Sequence, residues 1–381
     1  MSKTSIPEKV KLQVVARAGG RCEFRGCNQA LDVENLTGTS GRYSHFAHIV
    51  ADSAEGPRGD AARSKALADK AANLMLLCFD HHRLIDEDDE AGHPETLLLT
   101  FKQEHEDRIR HLLSLDVSHR TKLLTLNVPI GMRQVAVDHE AARLAILPRY
   151  PLRETSTIDL GHLTLREDDP TFWSLLPGEI QRQAERAIAR VHGEPEWHSL
   201  SVFALAPIPL LLQLGRMLGD IRTVHVHQKL RSPDSWLWQE PAPSDVTFEL
   251  RPPATISVRA SVALLMSLSG TVHANEADAI ADFGGQHWEL RASVPAVDSV
   301  RTRGQLDDLG RLWRQALTAI RETYGADVGV HLFPAIPNSV AIECGRLLLP
   351  KADPVIRIYD RQPSGFVPRG TLNERPTSVR T

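Results

Sequence analysis

The sequence predicts a chain of two parts, an α+β N-terminal domain organised by metal-binding side chains and a larger α/β domain made of two tandem halves. Three observations predict this. A chain of 381 residues with 42% apolar content can bury more than one core, since a domain takes about 150 residues. Three of the four cysteines, Cys22, Cys27 and Cys78, lie near the N-terminus, with Cys344 far away. Two stretches 130 residues apart share one pattern.

The first element is a helix. In "IPEKVKLQVVARAGGRCEFRGC", Pro7 opens it, Val10, Val14, Val15 and Ala18 recur at helical spacing, and Gly19-Gly20 ends it. It delivers Cys22. Cys22 and Cys27, with four residues between them, form one chelating loop, and Cys78-x2-His81 forms another. Together they make a Cys3His set for a tetrahedral structural zinc. The stretch "LMLLCFDHHRLID" leaves its second histidine, His82, outside this set. His82 and Asp86 stand at i and i+4, so a helix opening near His82 points both from one face toward a second, catalytic ion. Upstream, "RYSHFAHIVADS" alternates as a strand ending at His48.

A histidine at a strand end, Asn73, and a histidine on a helix behind a zinc knuckle resemble the HNH endonuclease motif of the ββα-metal fold, over about Ile6 to Leu115. The resemblance implies that His48 is the general base, that Asn73 orients it, and that His82 with Asp86 holds Mg2+ or another divalent cation on the scissile phosphate. Members of that family often carry a further metal ligand before the base, where this chain has Ala47; His45, on the same strand face, is either a substitute or an exposed histidine. Arg58, Arg63, Lys65 and Lys70 are candidate phosphate contacts, the alternative being a solvated loop. The acidic run Asp86 to Glu90 is read as solvating a helix end.

Formal net charge is −4, so a nucleic-acid partner must be met by a local patch. Free cysteines in metal spacing, no long apolar run and an N-terminus "MSKTSIPEKVKLQ" without the apolar core of a signal peptide lead to the expectation of a cytoplasmic protein with no membrane contact.

"PETLLLTFKQEHEDRIRHLLSL" reads as an amphipathic helix, after which the polar stretch from Asp116 to Lys122 leads into a linker. Beyond it, "VFALAPIPLLLQLGR" and "LFPAIPNSVAIECGR" match at an offset of 130: Phe203 with Phe333, Pro207 with Pro337, Gln213 with Glu343, Gly215-Arg216 with Gly345-Arg346. Each copy follows a helical pattern ending in glycine and precedes a strand, "TVHVHQK" or "VIRIYDR". An apolar strand running into a proline-started helix places free N–H groups at the carboxyl end of a parallel strand, where α/β sheets bind anionic ligands. Cys344 falls in the apolar pattern and is read as core.

Two such halves, with "FPAIPNSVAIECGR", "SWLWQE" and "LMSLSG", resemble a SAVED domain, a sensor of cyclic oligonucleotides built from two CARF-like, Rossmann-like units. The fusion with an HNH module is similar to the effector nucleases of CBASS anti-phage systems. The resemblance implies a cyclic dinucleotide activator, such as a cyclic GMP-AMP, held between the halves. Candidate contacts are Trp236 and Trp238 for base stacking, Lys229 and Arg361 for phosphate, Ser267 and Ser269 in a turn, and Pro337, Asn338 and Ser339 at the second helix start.

The expected organisation is an HNH domain over residues 1–122, a linker over 123–135, and a SAVED domain over 136–381, with halves at about 136–245 and 246–365 and a flexible tail at 366–381. The expected function is a metal-dependent double-stranded DNA endonuclease that assembles as a homo-oligomer, a dimer or higher, when activated. The alternatives are a non-catalytic zinc module binding nucleic acid and a restriction-type nuclease whose C-terminal domain reads modified DNA.

Overall fold

Pro7 lacks a backbone N–H and so starts a helix without leaving a donor unmet. Helix α1 runs Glu8–Ala18, and Gly19 and Gly20, at φ 63° and 70°, stop it in the left-handed conformation. The computed structural model describes residues 5–32, 43–131, 133–152, 155–161, 165–188, 199–219, 221, 223–241 and 246–374. The chain divides between Asp116 and Val117 into two units.

In the first unit, β1 (His45–His48) pairs antiparallel with β2 (Leu74–Leu77), His45 opposite Leu77 and His48 opposite Leu74. Between them lie α2 (Ser64–Leu67) and a 3-10 turn at Ala71–Asn73. All four residues of β2 are buried, each side chain contributing about 1.5–3 kcal/mol. They join Val14, Ile85, Leu98 and Phe101 in one core. Helix α3 (Phe79–Arg83) widens into a π-helical turn at Leu84–Asp88, and α4 (Glu95–Leu113) closes the unit. The helix expected to open near His82 therefore opens three residues earlier, because Cys78 is extended and caps it.

The second unit opens on a strand. β3 (Arg120–Asn127) is followed by α5 (His139–Ala145), β4 (Tyr150–Pro151), β5 (Ser156–Asp159), α6 (Pro170–Ile188), β6 (Ser199–Leu205), α7 (Ile208–Met217) and β7 (Val224–Val226). These strands form a parallel sheet in the order β4-β3-β6-β7, with β5 also on β3. A hairpin of β8 (Leu230–Arg231) and β9 (Asp234–Ser235) leads to the second half. That half comprises β10 (Phe248–Arg251), β11 (Ser261–Ser267), α8 (Ala274–Asp278), β12 (His287–Ala292), α9 (Arg303–Tyr324), β13 (Gly329–Ala335), α10 (Asn338–Arg346), β14 (Val355–Gln362) and β15 (Gly365–Leu372). Its sheet order is β10-β12-β11-β13-β14-β15, parallel from β12 to β14.

The repeat seen in the sequence is a pseudo-twofold contact between α7 and α10. A Cβ on Gly215 would stand 2.0 Å from the Ile342 carbonyl oxygen, and one on Gly345 would stand 2.1 Å from that of Leu212. Both the glycines and the carbonyls they face are related by the offset of 130. Only glycine lets the two backbones approach so closely. One core runs through both halves, from Leu124 and Val202 to Leu264 and Ile358, with Cys344 inside it.

Two expectations are corrected here. The linker placed at 123–135 begins inside β3, where Leu123, Leu124 and Leu126 are fully buried; the polar residues around it disguise a strand that pairs on both sides. The tail placed at 366–381 is strand β15 as far as Leu372, because it pairs antiparallel with β14 and buries Phe366 and Leu372 at its two ends. Residues 375–381 lie outside the described residues.

Candidate functional site

The loop after α1 and the N-terminus of α3 bring Cys22, Cys27, Cys78 and His81 together, with all four ligand atoms within 4.8 Å of one another. Cys22 Sγ lies 3.8 Å from both Cys78 Sγ and His81 Nδ1. A tetrahedron with Zn–S bonds of about 2.3 Å has edges of about 3.8 Å, so the donor set and its spacing fit zinc. Phe24 stacks on the His81 ring at 4.0 Å and fixes its plane. Burial pushes the Cys22 thiol well above its ordinary value and raises Cys78, whereas burial lowers His81. Thiolates buried here call for a cation.

Beside this cluster lie the residues of the HNH resemblance. His48, ending β1, has Nε2 2.9 Å from the Ala68 carbonyl oxygen. A carbonyl only accepts, so Nε2 carries the proton and Nδ1 of the neutral ring is a lone-pair acceptor. Asn73 is buried and binds the chain just past His48 in both directions: Oδ1 accepts from Val50 N at 2.9 Å, and Nδ2 donates to Val50 O at 2.8 Å. His82 Nε2 lies 3.4 Å from Asp86 Oδ2, and the His45 ring stacks on His82 at 4.9 Å. Ala47 is core.

The largest departure is Arg58. Read as a phosphate contact, it is an internal brace, its side chain only 7% exposed. It donates to the carbonyls of His48, Ile49 and Ile85 and, at 2.6 Å, to Asp86 Oδ1. Its backbone sits at φ 55° in the turn "GPRGD". The position after a proline in a glycine-rich turn was the signal available, and it does not tell a braced arginine from a solvated one. Arg63 and Lys70 are also engaged, pairing with Asp60, Glu95 and Asp69. The acidic run does more than solvate a helix end, since Asp86 and Glu90 both hold Arg58.

In the second unit the strand-to-helix corners stand where the repeat places them, with Pro207 before α7 and Pro337 before α10. The α10 start is closed by the first half. Asn338 Nδ2 donates to Ala204 O at 3.1 Å, and Ser339 N donates to Gln228 Oε1 at 3.0 Å, with Ser339 fully buried. These residues join the two halves instead of facing a ligand. Trp236 is 1% exposed and packs edge-on against Phe203 at 5.1 Å, so it is core and not a stacking platform. Trp238 packs on the shared core. Lys229 pairs with Asp234 and lies 5.7 Å over the Trp236 ring. Ser267 is buried and accepts from Val272 N, and Ser269 N donates to Ala335 O at 2.8 Å. Arg361 is bound to both carboxylate oxygens of Glu276 and to Thr271 O, and it covers Phe366.

Among the described residues no helix is long and apolar enough to cross a membrane. No curated protein matches the chain. Among solved structures, the Cap4 SAVED/CARF-domain receptor of Acinetobacter baumannii with the cyclic trinucleotide 3'3'3'-cAAA is 12% identical, over 83% of this chain and 72% of that one, with a TM-score of 0.43. The same receptor with 2'3'3'-cAAA is 14% identical over 82% and 62%, with a TM-score of 0.41. The Cap4 receptor of Moraxella osloensis is 11% identical over 82% and 70%, with a TM-score of 0.38. Residues 183–372 match the family described as SAVED, the SMODS-associated sensor domain fused to various effectors. This segment, holding the α7–α10 crossing, β6 and β7 of the first sheet and the strands of the second, therefore belongs to the SAVED family of sensor domains.

Proposed function

We propose that the chain is a CBASS-type effector, a metal-dependent DNA endonuclease switched on by a cyclic oligonucleotide bound to its SAVED domain. The observation that carries the reading is the placement of His48, Asn73, His82 and Asp86 beside a Cys3His cluster in one unit, on a chain whose other unit contains a sensor domain of an effector-fused family. His48 accepts the proton of an attacking water at Nδ1, while the Ala68 carbonyl holds its Nε2–H. Asn73 keeps the end of β1 in place through Val50. His82 and Asp86 are the residues that would hold a divalent cation, which when bound offsets charge on the phosphate. Cys22, Cys27, Cys78 and His81 would hold zinc and fix the start of α3.

The activator proposed from the sequence is a cyclic dinucleotide; the Cap4 structures carry cyclic trinucleotides, so both classes belong in the test. Two cuts in a duplex need two sites, which makes assembly of protomers part of the proposal. Plasmid digestion with Mg2+ or Mn2+, with and without a panel of cyclic di- and trinucleotides, decides it. Linearisation only with one of these ligands, abolished by EDTA, is expected; cutting that no ligand changes removes the sensor from the reading. The pairing of Arg58 with Asp86 favours a second reading, a non-catalytic zinc module that binds nucleic acid. DNA retention without cleavage under every metal and ligand in the same panel supports that one.

A further inference from the structure

On the first sheet of the sensor unit, one face changes character along its strands. Around Phe203 it is apolar, with that ring packed edge-on against Trp236. Toward their amino ends it is polar: Thr121 and Ser201 are fully buried with their hydroxyls 2.8 Å apart, and Ser201 is opposite His225 in the β6–β7 register. His225 and His227 share this face, being two apart on an edge strand. Three arginines from different elements act electrostatically on His225: Arg149 before β4, Arg303 at the start of α9 and Arg346 at the end of α10. Arg303 Nη2 donates to His225 Nδ1 at 2.6 Å, which puts the imidazole proton on Nε2 as a further donor.

This cluster has more donors than partners. The Nε atoms of Arg149 and Arg346 are buried without a hydrogen bond, while His227, 2% exposed, stacks on Phe203 at 4.3 Å. The acids facing it are Glu343, 3.7 Å from Arg346, Glu240, which accepts from the Arg303 backbone N, and Asp307 on α9. Burial lowers His225 and His227 to about 3, with Arg149 and Arg303 adding to the effect on both, and burial followed by Arg303 lowers Arg149. Burial raises Glu343, which weakens it as a counter-charge. Three guanidiniums held together at a desolvated polar wall are an arrangement that a multivalent oxyanion stabilises, because each fork presents paired N–H groups matched to phosphoryl oxygens.

We propose that Arg149, Arg303, Arg346 and His225 form a binding site for a phosphoryl group. The site lies at the amino ends of β6 and β7, whereas the Pro207 corner lies beyond Leu205, about 13 Å further along the strand at roughly 3.3 Å per residue. It is thus distinct from the helix starts, and it stands whether or not the first unit cuts DNA. The phosphoryl group belongs either to the cyclic oligonucleotide of the sensor reading or to a separate anion such as free pyrophosphate.

Calorimetric titration of the full chain with pyrophosphate and with 3'3'3'-cAAA, at constant ionic strength against a chloride control, separates these sources. Saturable binding of at least one is expected, with affinity at least tenfold weaker in Arg303→Gln and in Arg149→Gln, intermediate in Arg303→Lys, and unchanged in Arg361→Gln. Ligand-free Arg149→Gln should melt no lower than wild type, since it relieves repulsion; a purely structural arginine would lose stability. Pyrophosphate binding that follows these variants while the cyclic trinucleotide does not bind supports the site and removes that ligand from the sensor reading. Saturable binding of either probe that Arg303→Gln and Arg149→Gln leave at wild-type strength overturns the site and leaves the sensor reading in place. No saturable binding of either probe overturns the site as well.

Discussion

Gly345→Ala should destabilise the sensor unit by about 2 kcal/mol, against the usual gain of about 1 kcal/mol when a helical glycine becomes alanine. The added methyl would lie 2.1 Å from the Leu212 carbonyl oxygen and 2.8 Å from Arg216 N. Both neighbours are helix backbone, so relief requires α7 and α10 to part by about 1 Å, and overpacking of this kind costs about 1–3 kcal/mol. The upper end applies because no flexible side chain can yield; subtracting the propensity gain leaves about 2 kcal/mol. Gly310→Ala is the control, since its nearest neighbour is the mobile Leu347 Cδ1 at 3.0 Å, and it should be near neutral. All six tryptophans lie beyond Asp116, so urea unfolding followed by tryptophan fluorescence reports this unit alone. By the pseudo-symmetry, Gly215→Ala should lose a similar amount. A Gly345→Ala midpoint equal to or above that of wild type would refute the close crossing, and with it the view that the repeat exists to join the halves.

The nuclease reading makes paired predictions: His48→Ala should lose at least a hundredfold in cleavage with zinc content unchanged, while Cys78→Ser should lose zinc, measured by atomic emission, together with several kcal/mol of stability. Arg58→Met should cost about 3–5 kcal/mol by leaving Asp86 and three carbonyls without their donor, and Arg58→Lys should recover little because an ammonium cannot reproduce the fork; unfolding of residues 1–116 expressed alone, followed by circular dichroism, checks both. His227 is held neutral to about pH 3 by burial, so the unfolded chain binds more protons than the native one below its ordinary pKa of about 6.5. Sensor stability should therefore fall as pH drops from 6.5 toward 3, with His225 and His227 each contributing about 1.4 kcal/mol per unit in the steepest part, and His227→Phe should remove about half of that slope in urea titrations read by tryptophan fluorescence.

Patterns set by local chemistry were legible in the sequence. The Gly19-Gly20 stop, the strand ending at His48, the Cys3His grouping and the tandem α/β halves all appear where periodicity and spacing put them. β3 was not legible: Thr121 and Lys122 look like linker, yet both are buried by strands from residues 150 to 205 that the local sequence cannot announce. Arg58 was missed for a related reason, since its partners come from β1 and the turn after α3.

The ligand candidates at the second helix start are instructive in another way. Pro337, Asn338 and Ser339 were drawn from the repeat, on the premise that a matched helix start marks a matched binding site. In a duplicated domain a matched pattern also marks the surface each copy turns toward the other, and here that surface is backbone against backbone, Gly215 on Ile342 and Gly345 on Leu212. Asn338 and Ser339 continue the same seam by bonding Ala204 and Gln228. Residues serving a ligand that is not itself twofold need have no counterpart. Arg216 and Arg346 match in sequence, yet Arg216 binds Asn373, whereas Arg346 stands with Arg303 and His225. Arg303 aligns with Trp173 at the same offset. The seam follows the symmetry of the fold, and the cationic cluster lies where that symmetry breaks, so side chains that differ between the halves are the ones to test for binding.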